Sequence, residues 1–353
     1  MLLSQFFQHA HIRGVSGLGF FAGFKADLVE EVLRVYGFDK IPAVSLSREG
    51  GVSAPILTQT QRFVHTARRT LATRGLLEAV TWSFTAAKLA EDFGGFDPCL
   101  QLVNPISSEL DVMRPSVLPN VVSAVGRNLD RGASEVGLFE VGPSYTSDTS
   151  EGQSHAAAVV RQGHASLRHW DTPRRPVDAY DVKADAMAVL TGCGVATGSS
   201  SVKTGGPPWY HPGRSGAITQ GPRTTLAVFG ELHPKVLAKL GVKGPVVACE
   251  VYLDAIPRAK KKTTARPSLD APDLLTVERD FAFLVDADVT ADDVLRAANK
   301  ADKLVAGVSL FDVFEGKGVP EGQKSFAIAV RLQPRGRTLT DQEIAAAAAR
   351  IIA

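Results

Sequence analysis

Cysteine is scarce in this chain, and the three present stand far apart. Cys99, Cys193 and Cys249 form no CxxC pair, so neither a zinc cluster nor a disulfide framework is suggested, and a reducing cytosol fits. Long apolar runs are missing as well: nothing approaches the roughly 18 residues that a membrane helix needs. The opening MLLSQFF is broken by Gln8, His9, His11 and Arg13 and has no basic start, so it does not read as a signal peptide. Net charge is nearly absent. With 39 Lys and Arg against 37 Asp and Glu the formal charge is +2, too little to attract nucleic acid in bulk, so any RNA contact has to come from local clustering. Phosphate-loop glycines are lacking too, since GLGFF at 17–21 has no preceding strand pattern and no third glycine. No Ser or Cys nucleophile signature stands beside the isolated His211, which reads better as a hydrogen-bonded structural histidine than as a catalytic one.

What is present is an ordinary globular composition. The 353 residues, 44% hydrophobic and 22% charged, suffice for two or three domains that each bury a core. The stretch whose local signals agree over the greatest length is Asn104–Tyr145. Pro105 and Pro115 keep its first part extended. Leu118, Val121, Val122, Val125 and Leu129 then recur at helical spacing, and Val136, Leu138, Phe139 and Val141 read as a buried strand bounded by glycines. Arg114 lies in the extended part, packed against that helix and strand. A guanidinium there is costly to bury alone and calls for an anionic or carbonyl partner.

Other segments are legible by the same rules. DLVEEVLRVYGF places Asp27 as a helix N-cap and Gly37 at the helix end. Asp27, Glu30 and Glu31 share one side of that helix, which suits either a helix N-terminus or a hard divalent cation. From Thr58 an amphipathic helix turns Phe63, Val64, Ala67, Leu71 and Leu76 inward and Arg62, Arg68, Arg69 and Arg74 outward. LLEAVTWSF then reads as one strand, Val177–Leu190 as a helix with Tyr180, Val182, Ala186 and Leu190 in the core, and Val246–Leu253 as a strand. PRAKKKTTARP is a basic linker. From Asp273 the pattern is β-α-β-β-α, with Thr290 capping the first helix and an alanine-rich second helix, most of a split βαβ.

These residues resemble the β subunit of bacterial phenylalanyl-tRNA synthetase. NPIS at 104–107, MRPSVLP at 113–119, FEVG at 139–142, RGLLEAVTWSF at 74–84, HPGRSG at 211–216 and GELHP at 230–234 are similar to its class II-like core. DLVEEVLRVYGFDKIP resembles the end of its B5 domain. RDFAFLV, LFDVFEGKGVPEGQKSFA and RTLTDQEI resemble its ferredoxin-fold anticodon-binding domain.

The resemblance implies an α+β chain made of a partial B5 domain (1–43), a non-catalytic class II synthetase-like antiparallel-sheet core (44–256), a basic linker (257–268) and a ferredoxin-like βαββα domain (269–353). Arg114 is at best a relic of the arginine that such enzymes place on ATP, and no GxGxxR run occurs. The chain alone is therefore expected to be non-catalytic. Its implied place is in the cytoplasm, in a heterotetramer of two α and two β subunits, where it positions tRNA(Phe) for ATP-dependent attachment of phenylalanine, with ATP bound by the α subunit. The resemblance further implies Mg²⁺ ligands at Asp27, Glu30 and Glu31, although Phe21 stands where the family has a further acid. It implies tRNA contacts at Arg279, Lys317, Lys324, Arg335 and Arg337, and interface or structural roles for Arg114, His211 and Arg214. In the family a fourth strand follows the last helix, so the sheet edge beside the first strand of this domain is expected to be open. Two alternatives stay open at this point: a stand-alone tRNA-binding or regulatory module, and a non-functional fragment.

Overall fold

The computed structural model describes residues 25–44, 55–166, 168–196, 198, 200–257 and 271–353. Residues 25–44 belong to the unit formed by residues 1–56 and carry helix α1 (Lys25–Tyr36). It begins ahead of Asp27, so Asp27 sits inside the first turn and is not the cap that its acid type suggests. Gly37 ends the helix as expected: its φ is 108° and its N–H donates to the Leu33 carbonyl at 2.9 Å, a left-handed closure that glycine adopts without strain.

The unit of residues 57–353 opens with α2 (Gln59–Thr73), started by a full capping box. Gln61 N–H donates to the Thr58 hydroxyl at 3.2 Å, and Thr58 N–H donates to the Gln61 carboxamide at 2.8 Å. There follow β1 (Leu77–Glu78), β2 (Phe84–Thr85), α3 (Ala87–Asp92), β3 (Val112–Met113), α4 (Leu118–Asp130), β4 (Val136–Tyr145), β5 (Gln153–Gln162), α5 (Ala179–Gly192), β6 (Ser201–Thr204), β7 (Tyr210–Gln220), β8 (Thr224–Leu232), α6 (Pro234–Lys239) and β9 (Val246–Tyr252). Seven strands form one sheet in the order β1-β4-β5-β9-β8-β7-β6. The pair β1–β4 is parallel and every other pair is antiparallel. β2 and β3 make a separate two-stranded piece.

Alternation along the strands divides the core into two layers. Phe139, Val141, Ala157, Val159, Val247 and Cys249 face α2 and α5, while Leu138, Ala156, Ala158, Val160, Val246 and Ala248 face α4 and α6. Strands covered on both faces read as continuous apolar runs, and VVAC at 246–249 and AAAVV at 156–160 do.

Three expectations need correction. LLEAVTWSF is not one strand: it pairs only at β1 and again at β2, and Leu77, Val80 and Trp82 between and beside them are 71%, 87% and 62% exposed. The ladder breaks because the Trp82 carbonyl is taken by the Arg114 and Asn120 side chains and the Phe84 carbonyl by Asn120, while the Ser83 carbonyl accepts from the Arg114 backbone N–H just beyond β3. Tyr180 is 74% exposed; it follows the cap residue Asp178, and the buried stripe of α5 runs through Val182, Ala186, Val189 and Leu190. Arg68 and Arg74 are not free outward charges: Arg68 pairs with Glu78 at 2.9 Å, and Arg74 pairs with the fully buried Asp185 at 2.5 Å.

The ferredoxin-like part consists of β10 (Val277–Asp286), α7 (Ala291–Ala301), β11 (Val305–Phe314), β12 (Gln323–Leu332) and α8 (Asp341–Ile352), with sheet order β10-β12-β11, all antiparallel. This is the βαββα order read from the sequence, and β10 lies at one edge of the sheet. Both helices cover the face formed by Phe281, Phe283, Ile328, Val330 and Leu332. Thr290 and Thr340 cap them through the N–H groups of Asp293 and Glu343. Arg296 of α7 donates to the Ser200 carbonyl at 2.8 Å, which ties this part to the seven-stranded core.

Candidate functional site

Arg114 is 1% exposed, and its partners explain why a guanidinium can be buried there. β4 carries Glu140 on the α4 face, and Arg114 Nη1 donates to Glu140 Oε1 at 2.8 Å. The same nitrogen reaches the Thr81 hydroxyl at 2.9 Å and the Trp82 carbonyl at 3.2 Å, while Nε donates to the Pro143 carbonyl at 2.9 Å. Thr81 in turn donates to Glu140 Oε2 at 2.6 Å, and Arg114 N–H donates to the Ser83 carbonyl at 3.0 Å. One ion pair thus bolts residues 81–83 against β4. The last glycine of the FEVG motif is part of the arrangement: a Cβ on Gly142 would overlap Arg114 Nη2, so the guanidinium occupies the space of a missing side chain.

A second buried carboxylate stands two strands away on the same face. Glu140 is opposite Ala158 on β5, and Ala158 is opposite Glu250 on β9. Glu250 accepts from the Ser116 hydroxyl at 2.6 Å, and that hydroxyl accepts from Leu118 N–H at the start of α4 at 3.0 Å. The extended RPS segment is therefore held to the sheet at both ends, at Arg114 through Glu140 and at Ser116 through Glu250.

Burial raises the Glu250 pKa above the ordinary glutamate value, with the Ser116 hydroxyl and the helix-start N–H acting in the opposite direction. A folded-state pKa above the unfolded one means that the stability associated with protonation is complete below the ordinary glutamate pKa and is lost as pH climbs through the folded value. Glu250→Gln keeps an acceptor for Ser116 without the charge. It is expected to match the wild type near about pH 4 and to be the more stable protein near about pH 8, as read from urea midpoints of both proteins. A variant less stable than wild type at the higher pH would show that the charge itself is needed there.

The opposite face of the sheet carries its own buried acid. Asp185 on α5 receives Arg161 at 2.6 and 3.0 Å as well as Arg74. Burial works against the Arg161 charge, yet the hydrogen bond and charge of Asp185 leave its pKa raised overall. Asp185 and Glu250 were not singled out in the sequence, though each leaves a sign: a single acid within an otherwise apolar helix face or strand implies a partner inside.

His211 and Arg214 flank the irregular start of β7. Gly213 N–H donates to His211 Nδ1 at 3.1 Å, the Arg214 guanidinium lies 3.0 Å from His211 Nε2, and Arg214 pairs with Glu231 on β8 at 3.1 Å. The glycine of GELHP is required at this bulge. Gly230 has φ 151°, and a Cβ on it would come within 2.5 Å of the Arg214 carbonyl.

Of the three acids expected on a magnesium ion, Glu30 and Glu31 are exposed on α1, and the side chain of Asp27 lies outside the described residues, as does Phe21. The Glu31 carboxylate is held by Arg34 at 2.7 Å. With the Asp27 side chain and residue 21 outside the described residues, only part of the expected magnesium set is described; among the described residues no group of three or more His, Cys, Asp or Glu is placed to hold a metal.

The five basic residues expected at tRNA do not form one cluster. Arg279 on β10, Arg335 and Arg337 lie toward the Val277–Leu332 end of the small sheet, and Lys317 and Lys324 toward the Asp286–Gln323 end. Ten residues of β12 separate the two ends, roughly 30 Å of strand. Lys324 donates to the Ala287 carbonyl at 2.7 Å and stands 5.0 Å over the Phe326 ring, and Arg337 pairs with Glu343 at 2.8 Å. Arg335 has no hydrogen-bond or ion-pair partner among the described residues.

Comparison with known proteins fits this geometry. The family model described as phenylalanyl tRNA synthetase beta chain CLM domain matches residues 45–253, and the ferredoxin-fold anticodon binding domain matches residues 272–353. A phenylalanine–tRNA ligase beta subunit from Rhodospirillum rubrum is 50% identical over 332 residues, covering 94% of this chain and 41% of that protein. The one from Bradyrhizobium diazoefficiens is 48% identical over 335 residues, covering 93% and 42%. The chain thus spans about two-fifths of the length of these relatives. A solved pyrrolysyl-tRNA synthetase from Desulfitobacterium hafniense overlaps 55% of this chain and 66% of its own at 16% identity and a TM-score of 0.42, a likeness too loose to bear on function. No described helix is long and apolar enough to cross a membrane. With a β-chain core model matched over more than half its residues and an anticodon-binding domain behind it, the chain belongs to the phenylalanyl-tRNA synthetase β-chain family.

Proposed function

We propose that this chain acts as the C-terminal part of a phenylalanine–tRNA ligase β subunit in the cytoplasm. The core docks on a catalytic α subunit, and the ferredoxin-like domain positions tRNA(Phe) while the α subunit binds ATP and performs the chemistry. The observation that carries the docking role is the apolar margin of the large sheet. Leu77, Val80 and Trp82 are exposed on a segment held rigid by Arg114, Glu140 and Thr81. Large exposed apolar groups on a preorganised edge suit a protein interface better than free solvent.

Within the chain Arg114 is a positioning residue. Its Nε and Nη1 hydrogen bonds all go to protein partners, so its work is to present the 77–83 margin. No step of the reaction is assigned to a magnesium ion on α1. The assembly proposed is a heterotetramer with two copies of each subunit.

Co-expression with the α subunit of the same organism, followed by sizing and a phenylalanine-charging assay, tests the proposal. A stable complex that charges tRNA(Phe) is the expected result. A chain that stays apart from the α subunit yet binds tRNA would replace it with the stand-alone RNA-binding module.

A further inference from the structure

The small sheet leaves one face uncovered, and that face is acidic. Glu278, Asp280 and Asp286 project from β10 opposite to the helix-packed Phe281 and Phe283, and Asp312 of β11 pairs across Ala327 on the same side. Arg331 is the single cation among these positions. RNA phosphates laid across this face would meet like charge, which costs affinity.

Positive charge gathers instead at one end of the sheet. A hollow of about 420 Å³ opens between the start of β11 and the end of β12, with walls that include Pro272, Leu304, Val305, Gln333, Lys303 and Arg335. None of its walls is a carboxylate. The adjacent acid, Asp302, is engaged by an ion pair with Arg350 and by the Leu304 N–H at 2.8 Å. The side chains of Lys303 and Arg335 have no ion-pair or hydrogen-bond partner among the described residues, so two uncompensated cations share one concavity. In the sequence, a tract with Arg258, Lys260, Lys261, Lys262 and Arg266 ends six residues before Pro272.

We propose that this hollow is a phosphate-binding subsite in which Lys303 and Arg335 together hold a backbone phosphodiester of the RNA. The inference rests on the reading of the ferredoxin-like domain as tRNA-binding and assigns it an entry point for the strand. Arg335 supplies a planar fork for two phosphate oxygens, and Lys303 supplies a mobile point charge. Lys303 adds a residue that the sequence alone does not single out.

Binding of a tRNA(Phe) transcript to the full chain, followed over a range of NaCl concentrations, tests it. Lys303→Ala and Arg335→Ala are each expected to weaken binding several-fold at low salt and to lower the slope of log K against log salt by about one. Arg335→Lys keeps the slope, because it keeps the charge, but weakens binding by losing the fork. Arg223→Ala, an exposed arginine in the turn between β7 and β8, leaves both quantities unchanged. Unchanged slopes in both alanine variants, with the wild type still binding, would overturn the subsite and leave the tRNA-binding reading intact. No binding by the wild type would remove that reading and the subsite with it. Excess inorganic phosphate at fixed ionic strength is expected to compete only for the part of binding that depends on Lys303 and Arg335; phosphate that weakens the wild type and both alanine variants equally would overturn the subsite.

Discussion

Arg114→Leu is expected to destabilise the seven-stranded core by about 3 to 5 kcal/mol, the usual cost of removing one partner of a buried ion pair. The cost comes from what is left behind. Glu140 is 4% exposed, and without Arg114 the hydroxyl of Thr81 is its one remaining side-chain donor. The carbonyls of Trp82 and Pro143 lose a donor at the same time, and each unmet buried acceptor adds to the penalty. Glu140→Leu is the instructive companion, since it strands the guanidinium but leaves it two carbonyls and a hydroxyl. The double variant Arg114→Leu with Glu140→Leu buries no charge, so it is expected to recover part of the loss, with the unpaired carbonyls setting the remainder. Urea unfolding followed by tryptophan fluorescence reads this part of the chain selectively, because Trp209 packs on the core and neither it nor the exposed Trp82 and Trp170 lies in residues 271–353. A shift in the Arg114→Leu variant of less than about 1 kcal/mol would mean that water enters to solvate Glu140 and that the clamp is not what holds the segment.

The demand for such a partner was readable in the sequence, and the partner was not. Arg114, just before Pro115 and an apolar helix, signals a cation with nowhere to go, and the acid of FEVG was visible 26 residues on. What joins them is the packing of an extended segment on a strand, which no local period encodes. The same limit explains LLEAVTWSF. Its β-branched and aromatic residues fit a strand, but Arg114 and Asn120 take carbonyls that a neighbouring strand would have used, so tertiary hydrogen bonds override local propensity. Tyr180 failed for a related reason: helical spacing fits the core, but the position lies two residues past a capping aspartate, where the chain is still turning in from the surface. The ferredoxin-like part was legible nearly throughout, because its caps at Thr290 and Thr340 and its alternating strands are local signals that agree with the fold. Its cationic hollow was not, because Lys303 and Arg335 are brought together only by the pairing of β11 with β12.

Val80→Glu combined with Trp82→Glu is expected to abolish association with the α subunit while leaving the isolated chain folded. Both side chains are exposed, at 87% and 62%, so their replacement is expected to change the unfolding free energy by no more than about 0.5 kcal/mol. At an interface the same charges would be buried without partners. An aromatic anchor at the centre of a contact is worth about 2 to 4 kcal/mol, and a weakening of roughly 30- to 1000-fold follows. Sizing of co-expressed subunits, with urea unfolding of the isolated variant alongside, separates the two effects; a full-strength complex would move the docking surface elsewhere. Arg114→Leu provides the cross-check. It leaves Val80 and Trp82 chemically intact but releases the Trp82 carbonyl from its guanidinium donor, so the margin keeps its apolar groups and loses its preorganisation. If the margin binds as a rigid edge, Arg114→Leu weakens the complex even at temperatures where its core remains folded, because ordering the 77–83 segment then has to be supplied at the moment of binding. A complex sensitive to Trp82 and indifferent to Arg114 would instead describe a surface that takes its shape from the partner.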